Sequence, residues 1–186
     1  MLINPDFYES VLSAPNDQSL DEITMNTPSH SSTDSSHGEG LPSFTTDGGM
    51  GSVPEAGGIY LIRDLDPGRA ITLDDGRLTL KLDVGTRGGW QWRCEERADG
   101  WIGFRDVIHG KYLGRDNKGG FYVRADKMDS WEWFVLRPRE AGGYNLLVKN
   151  WSRLVAMAIV EGGTLPKLVE AGTTQKAARW EFVKVG

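Results

Sequence analysis

The stretch from His109 to Gly120 carries the residue types of a phosphate-binding loop. It is HGKYLGRDNKGG, with two lysines and four glycines in twelve residues. Glycine-rich loops bind phosphate through backbone N–H groups, and a nearby lysine adds positive charge. The Walker pattern, however, closes a glycine-bounded loop with GK[ST], and this stretch has no such ending. We therefore expect these glycines to form turns.

The single cysteine, Cys94, has no partner for an internal disulfide. It follows Trp90 and Trp92 at a spacing of two residues, which in a strand places all three side chains on one face. A buried cysteine behaves as a small apolar residue rather than a nucleophile. A lone thiol also fits a reducing compartment, so we predict a cytoplasmic protein.

The remaining reactive side chains form no recognisable catalytic or metal-binding group. The three histidines, His30, His37 and His109, have no second ligand at a suitable spacing. Serine, histidine and aspartate show no triad-like order, and no pair of carboxylates is singled out. We predict a protein that is not an enzyme and needs no metal or cofactor.

The charge is divided between two regions. Residues 1–57 contain nine acidic residues and no lysine or arginine, which leaves 21 basic and 17 acidic residues, a net charge of +4, in residues 58–186. Residues 1–57 are also rich in Ser, Thr and Gly and have few aromatic residues, which is typical of disorder. We predict a disordered acidic arm (1–57) followed by one folded domain (58–186). No apolar run is long enough to span a membrane.

The folded region repeats at intervals of 42 residues. Each set contains one residue from each of three units of about 43 residues: Tyr60, Ile102 and Tyr144; Ile62, Phe104 and Leu146; Arg69, Lys111 and Arg153; Ile71, Leu113 and Val155. Within each unit, short alternating apolar runs are separated by turn sequences such as DDGR and EAGG, which predicts about four strands a unit. Repeats of this kind identify the architecture before any single motif does.

Three all-β units must bury one face of their strands and leave no long exposed edge, and a closed sheet satisfies both requirements. We predict a β-trefoil, a six-stranded barrel capped by three hairpins. A three-bladed propeller has the same strand number, but propellers usually have four to eight blades.

An aromatic doublet ends each unit: Trp90 and Trp92, Trp131 and Trp133, Trp180 and Phe182. Strand alternation would put both aromatics of a doublet inside and the central Gln91, Glu132 or Glu181 outside. We expect the doublets to occupy equivalent core positions. Trp131→Ala should then cost about 3–5 kcal/mol of stability.

The middle unit, Trp101 to Gly143, also resembles a known family. Its segment GKYLGRDNKGGFYVRADKMDSWEWFVLRP is similar to the recurring unit of the fascin-like β-trefoils, with a G-[KR]-[YF]-[LV] strand, a glycine turn and a W-E-x-F type final strand. GRAI at Gly68–Ile71 keeps the pattern, and SRLV at 152–155 has lost its glycine. The resemblance implies protein binding, with actin filaments as the first partner to test. A single trefoil would bind a filament side, and would bundle filaments only as a dimer.

Two features are candidates for partner binding. The predicted hairpin from Lys111 to Lys127 has a local charge of +3 and could attract an acidic partner, or could simply keep the hairpin soluble; its basic residues are Lys111, Arg115, Lys118, Arg124 and Lys127. Trp151 falls in a turn. It should either pack under a neighbouring loop, the simpler expectation, or form part of a contact surface.

Other kinds of ligand remain open. A carbohydrate-binding, lectin-like trefoil is one alternative, although the ricin-type Q-x-W signature is absent because the order is W-Q-W and W-E-W. A trefoil that inhibits proteases through one loop is another. A net charge of +4 beside an acidic arm argues against nucleic-acid binding.

Overall fold

The computed structural model describes residues 52–173 and 176–186. The predicted disorder of the acidic arm therefore concerns residues that lie almost entirely outside the described ranges. Within those ranges the chain forms strands and turns, and none of it is a helix that could cross a membrane. The strands are β1 (Ile59–Asp64), β2 (Ala70–Asp74), β3 (Arg77–Lys81), β4 (Gln91–Glu96), β5 (Ile102–Asp106), β6 (Tyr112–Arg115), β7 (Phe121–Ala125), β8 (Phe134–Pro138), β9 (Tyr144–Asn150), β10 (Arg153–Val160), β11 (Lys167–Glu170) and β12 (Trp180–Lys184).

Six of the strands close into a barrel. β1 pairs with β4, β4 with β5, β5 with β8, β8 with β9, β9 with β12 and β12 with β1, all antiparallel. Closing the ring leaves none of these six strands as an edge of the barrel. The pairs β2–β3, β6–β7 and β10–β11 are three hairpins outside the ring. This is the predicted threefold arrangement.

Local sequence explains why the hairpins form where they do. Asp74 pairs with Arg77, so the β2–β3 loop contains only Asp75 and Gly76, and both have positive φ, 47° and 74°. Two-residue hairpin loops favour Asp-Gly because both positions need a left-handed backbone. The DDGR sequence thus makes the turn that it predicted.

Equivalent aromatic residues fill the centre of the barrel. Trp92 lies opposite Tyr60, Phe134 opposite Ile102 and Trp180 opposite Tyr144. Trp92, Phe134 and Trp180 are fully buried, and Ile62, Phe104 and Leu146, which also follow the 42-residue repeat, are fully buried with them. The expectation that repeated apolar positions form the core is confirmed.

The aromatic doublets, by contrast, are not equivalent, and that prediction is wrong. Strand pairing aligns Trp92 with Phe134 and Trp180, so the second doublet is displaced by one residue and the third by two. Trp131 is 37% exposed, Trp133 is half-buried, and Glu132 between them is 2% exposed. Trp131→Ala therefore does not remove a core residue. The core residue of this unit is Phe134.

The reason lies in the turn before β8. The Glu132 N–H donates to the Asp129 carbonyl, 2.9 Å, so Trp131 and Glu132 are turn residues to which strand alternation does not apply. The Glu132 carboxylate accepts hydrogen bonds from the Tyr122 hydroxyl, 2.7 Å, and from the Asp129 N–H, 3.0 Å. These bonds hold a polar group inside and leave the Trp131 ring outside.

Candidate functional site

The five basic residues predicted on the β6–β7 hairpin have different environments. Lys111 forms an ion pair with Asp126, and the Arg124 guanidinium lies 4.3 Å from the centroid of the Tyr122 ring. Lys118 and Lys127 are exposed, whereas Arg115 is buried. The hairpin is therefore not one continuous surface of free charge. The part of these residues in partner binding stays a prediction.

Arg115 contacts Glu170, which Asn150 supports in turn, and the turn residue Trp131. Its Nε donates to Glu170 of β11, and the Asn150 side-chain amide donates to both Glu170 carboxylate oxygens at 3.2 and 3.1 Å. The Arg115 backbone N–H donates to the Trp131 carbonyl, 3.0 Å, and its guanidinium lies 5.3 Å from the centroid of the Trp131 ring. These contacts hold an arginine and a tryptophan in one orientation.

Trp151 lies in the open, which corrects the expectation that it packs under a loop. Its side chain is 87% exposed. Asn150 pairs with Arg153, so Trp151 and Ser152 form a two-residue turn between β9 and β10, and Trp151 has φ of 55°. Glycine, asparagine and aspartate accommodate positive φ more readily than a bulky residue. An exposed tryptophan with a positive φ therefore stays a candidate for partner binding.

Trp151 and Trp131 line one concave site, which we call the tryptophan pocket. The pocket has a volume of about 510 Å³, and its lining residues are Arg115, Ser130, Trp131, Lys149, Trp151 and Ser152. Two tryptophans, two basic residues and two serines therefore line one opening. Apolar ring faces beside a few polar groups are typical of small-ligand sites.

Lys149 also belongs to a stack of aromatic and cationic groups. The Trp101 and Trp133 rings are stacked with centroids 5.5 Å apart. The Lys149 ammonium lies 4.3 Å from the Trp133 centroid and 5.6 Å from that of Trp101, and the Arg97 guanidinium lies 4.6 Å from Trp133. Cation–π contacts of this kind restrain long side chains that would otherwise move freely.

Sequence reasoning identified Arg115 and Trp151 but missed that they share a site with Trp131 and Lys149. Trp131 was assigned to the core, and Lys149 carried no distinguishing pattern. The NWS turn was the available signal, because an aromatic in a two-residue hairpin loop has little neighbouring chain to cover it.

The side chains considered for catalysis are buried or hydrogen-bonded to neighbouring turns. Burial raises the pKa of the Cys94 thiol to about 12, with the Glu96 and Glu95 carboxylates adding to the rise, so the thiolate is disfavoured. The buried Asp106 carboxylate accepts from the His109 backbone N–H and contacts its Nδ1 at 2.8 Å. Across residues 52–173 and 176–186, no group of three or more His, Cys, Asp or Glu side chains is placed to bind a metal.

A larger open groove lies among the three hairpins. It has a volume of about 810 Å³ and is lined by residues of the β2–β3, β6–β7 and β10–β11 hairpins, including Arg77, Phe121, Arg124, Leu165 and Lys167. It is the meeting point of the three pseudo-equivalent hairpins. Its position follows from the threefold fold, whereas the tryptophan pocket has a lining that the fold does not require.

Solved structures with the same arrangement decide the architecture. The designed threefold-symmetric protein ThreeFoil aligns at 16% identity with a TM-score of 0.57, over 68% of this chain and 99% of its own, and the BEL β-trefoil at 13% and 0.57, over 74% and 99%. The chain is a β-trefoil. It also aligns with the GlcNAcα1-4Gal-releasing endo-β-galactosidase from Clostridium perfringens at 16% identity and a TM-score of 0.57, over 69% of this chain and 33% of that one.

Sequence comparison places this trefoil in no narrower group. No family model matches the chain, and no curated protein matches it. Identities of 12–16% to the solved trefoils show a common fold alone, because one scaffold carries many unrelated sites.

Proposed function

We propose that this trefoil is a non-catalytic module that binds carbohydrate in the tryptophan pocket. The observation that carries the proposal is the 87% exposed Trp151 beside Trp131 at a concave opening. A sugar ring presents C–H groups on its face, and these carry partial positive charge that suits the negative face of an indole. Its hydroxyl groups require hydrogen-bond partners, which Ser130 and Ser152 can supply.

The comparison with the Clostridium perfringens enzyme agrees with this proposal. That enzyme releases the disaccharide GlcNAcα1-4Gal, and the trefoil aligns with one third of it. We extend to this chain only the binding of sugar.

The absence of a catalytic role is also part of the proposal. The buried carboxylates Asp64 and Asp106 accept hydrogen bonds from backbone N–H groups of the adjoining turns, 2.8 Å from Gly68 and 2.5 Å from His109. Burial keeps the Cys94 thiol protonated. These three groups stabilise the fold, and none of them lines the tryptophan pocket.

A protein partner is the second candidate, with filamentous actin tested first because of the fascin-like resemblance of the middle unit. The observation in its favour is the exposure of Lys118 and Lys127 on the β6–β7 hairpin. Long-range attraction by these cations would weaken as salt rises. Cosedimentation with filaments at low and moderate salt tests it, and absence of the protein from the pellet at both would reject actin.

A glycan array tests the carbohydrate proposal directly. We expect the wild-type protein to bind a defined set of glycans and Trp151→Ala to lose at least tenfold in affinity for them, because aromatic residues in desolvated sites commonly contribute more than 1.4 kcal/mol to binding. Leu82→Ala removes another exposed apolar side chain, 70% exposed and remote in sequence from the pocket, and should bind as wild type does. An array without hits would reject the proposal.

A further inference from the structure

Arg115 occupies a position that the fold itself fills with an apolar residue. Arg63 pairs with Ala70, Arg105 with Tyr112 and Leu147 with Ala156, so strand pairing places Arg115 in register with Leu73 in the first unit and Ile159 in the third. Leu73 is buried, and Ile159 packs against the core. Burying a charge in place of a leucine or isoleucine is unfavourable unless the charge is paired and hydrogen-bonded. Packing of the trefoil core does not itself need a charged residue at this position.

Its ion pair uses only part of the guanidinium. The side chain is 7% exposed, and its only hydrogen bond to a described residue runs from Nε to Glu170. No acceptor among residues 52–173 and 176–186 takes a hydrogen bond from the two terminal nitrogens, and Arg115 lines the tryptophan pocket. These two nitrogens are the part of Arg115 left to donate hydrogen bonds to a ligand in the pocket.

The neighbouring residues fix the direction of these nitrogens. Glu170 is held by Asn150 as well as by Arg115, and the Trp131 ring lies against the guanidinium. A guanidinium restrained in this way loses little side-chain entropy when it binds, and its planar fork matches a carboxylate. Lys149 supplies a second cation to the same pocket, so the positive charge there exceeds the single charge of Glu170.

We propose that the tryptophan pocket selects a glycan that bears a carboxylate, with the Arg115 terminal nitrogens donating hydrogen bonds to that carboxylate while a sugar ring stacks on Trp151. The inference rests on the proposed carbohydrate-binding function and adds the chemical class of the ligand. An acidic sugar satisfies all three groups of the pocket together: the indole faces, the serine hydroxyls and the fork. A neutral sugar leaves the fork unused.

The first experiment compares glycans that differ in one group. Binding of lactose, sialyllactose and sulfated lactose to the full chain is measured by calorimetry, with a glucuronate-bearing hyaluronan fragment as a second source of carboxylate. We expect at least one carboxylate glycan to bind about tenfold more tightly than lactose, the contribution of a charge-assisted hydrogen bond. The sialic and uronic acid arms show which sugar carries the carboxylate. Equal affinity for lactose and both acidic glycans, or tightest binding of the sulfated one, would overturn the inference.

The second experiment assigns the preference to Arg115. Arg115→Lys keeps the charge and the pair with Glu170 but removes the fork, so the ratio of acidic-glycan affinity to lactose affinity should fall from about tenfold to less than about twofold. Lys118→Gln, an exposed cation on the same hairpin, should leave the preference intact. An unchanged preference in Arg115→Lys would contradict the assignment.

A measurement on the wild-type protein covers the case in which Arg115→Lys does not fold. Affinity for the acidic glycan should fall as salt rises and affinity for lactose should not, because only the first includes a charge pair. The outcomes also separate the two proposals. Neutral glycan binding without any acidic preference rejects the carboxylate alone, whereas no binding to any glycan rejects carbohydrate recognition as a whole. Binding of poly-glutamate, with no binding of any of these glycans, would indicate an acidic protein partner instead.

Discussion

The barrel core and the tryptophan pocket follow opposite rules in the same repeat. In the core, Trp92, Phe134 and Trp180 occupy one equivalent position, and all three are large, apolar and fully buried. In the pocket, Trp131 lies three residues before Phe134, and the residues three before Trp92 and Trp180 are Gly89 and Ala177. The large apolar core residue therefore occurs in all three units, whereas the pocket tryptophan occurs in one.

This difference separates what stabilises the trefoil from what distinguishes it. A closed barrel needs similar side-chain volume in each third, because its interior is close-packed. No such requirement acts on the outer turns, so a binding site can develop in one unit alone. Trp151 illustrates this freedom, since its counterparts at the 42-residue offset are His109 and Pro67.

The largest expected effect separates a core residue, Phe134, from a pocket residue, Trp131, that lies three positions before it. Phe134→Ala should lower the free energy of unfolding by about 3–5 kcal/mol because it leaves a cavity in the barrel. Trp131→Ala should lower it by about 1 kcal/mol or less, because it removes a partly exposed ring and one cation–π contact. Denaturant unfolding of both variants measures the difference. Equal losses would place Trp131 in the core after all.

A smaller effect concerns the backbone of Trp151. Glycine adopts positive φ without the steric penalty that other residues pay, so Trp151→Gly should be about 1 kcal/mol more stable than Trp151→Ala. Both variants lack the indole, and the comparison therefore isolates the turn. Thermal unfolding measures it, and an alanine variant as stable as the glycine variant would contradict the left-handed turn. Both should lose at least about tenfold in glycan affinity.

The smallest effect is a pH dependence that belongs to Glu132. Burial raises the pKa of this carboxyl above its ordinary value. A raised folded-state pKa means that its stabilising contribution is complete below the unfolded pKa and is lost as pH rises through the folded pKa. Glu132→Gln, neutral at every pH, should lack this loss, so the stability of the variant should rise relative to that of wild type as pH increases across that window.

Unfolding free energies across the acidic to neutral range give the difference curve between wild type and Glu132→Gln. The matched control is Glu140→Gln, which removes the same carboxyl from an exposed position, and any pH dependence that both variants share does not belong to Glu132. A flat curve for Glu132→Gln would show that the buried carboxyl does not titrate differently on folding.

Much of the fold was predictable because repetition is visible in sequence. The 42-residue offset located Ile62, Phe104 and Leu146, which are all fully buried, and turn sequences such as DDGR marked the hairpins. The aromatic doublets misled because they look alike but differ in register. A turn ends at Trp131 and Glu132 before β8 begins, and residue pattern alone does not show where strand alternation starts.

The candidate site was only half predictable for a related reason. Arg115 and Trp151 were selected individually, one for charge and one for its place in a turn. Their meeting depends on β6, the turn before β8 and the β9–β10 turn lying side by side, with Glu170 of β11 completing the support. Residues from four segments that are far apart in sequence share no local pattern.

The order of amino acids was enough to establish an all-β threefold chain, because hydrophobic period, turn chemistry and repeat length are local properties that survive in one dimension. The direction of each side chain and the residues that it contacts were decided only by the tertiary structure. Pairing register and turn geometry set those, and they put Glu132 inside, Trp131 outside and the Arg115 fork at the opening of a pocket.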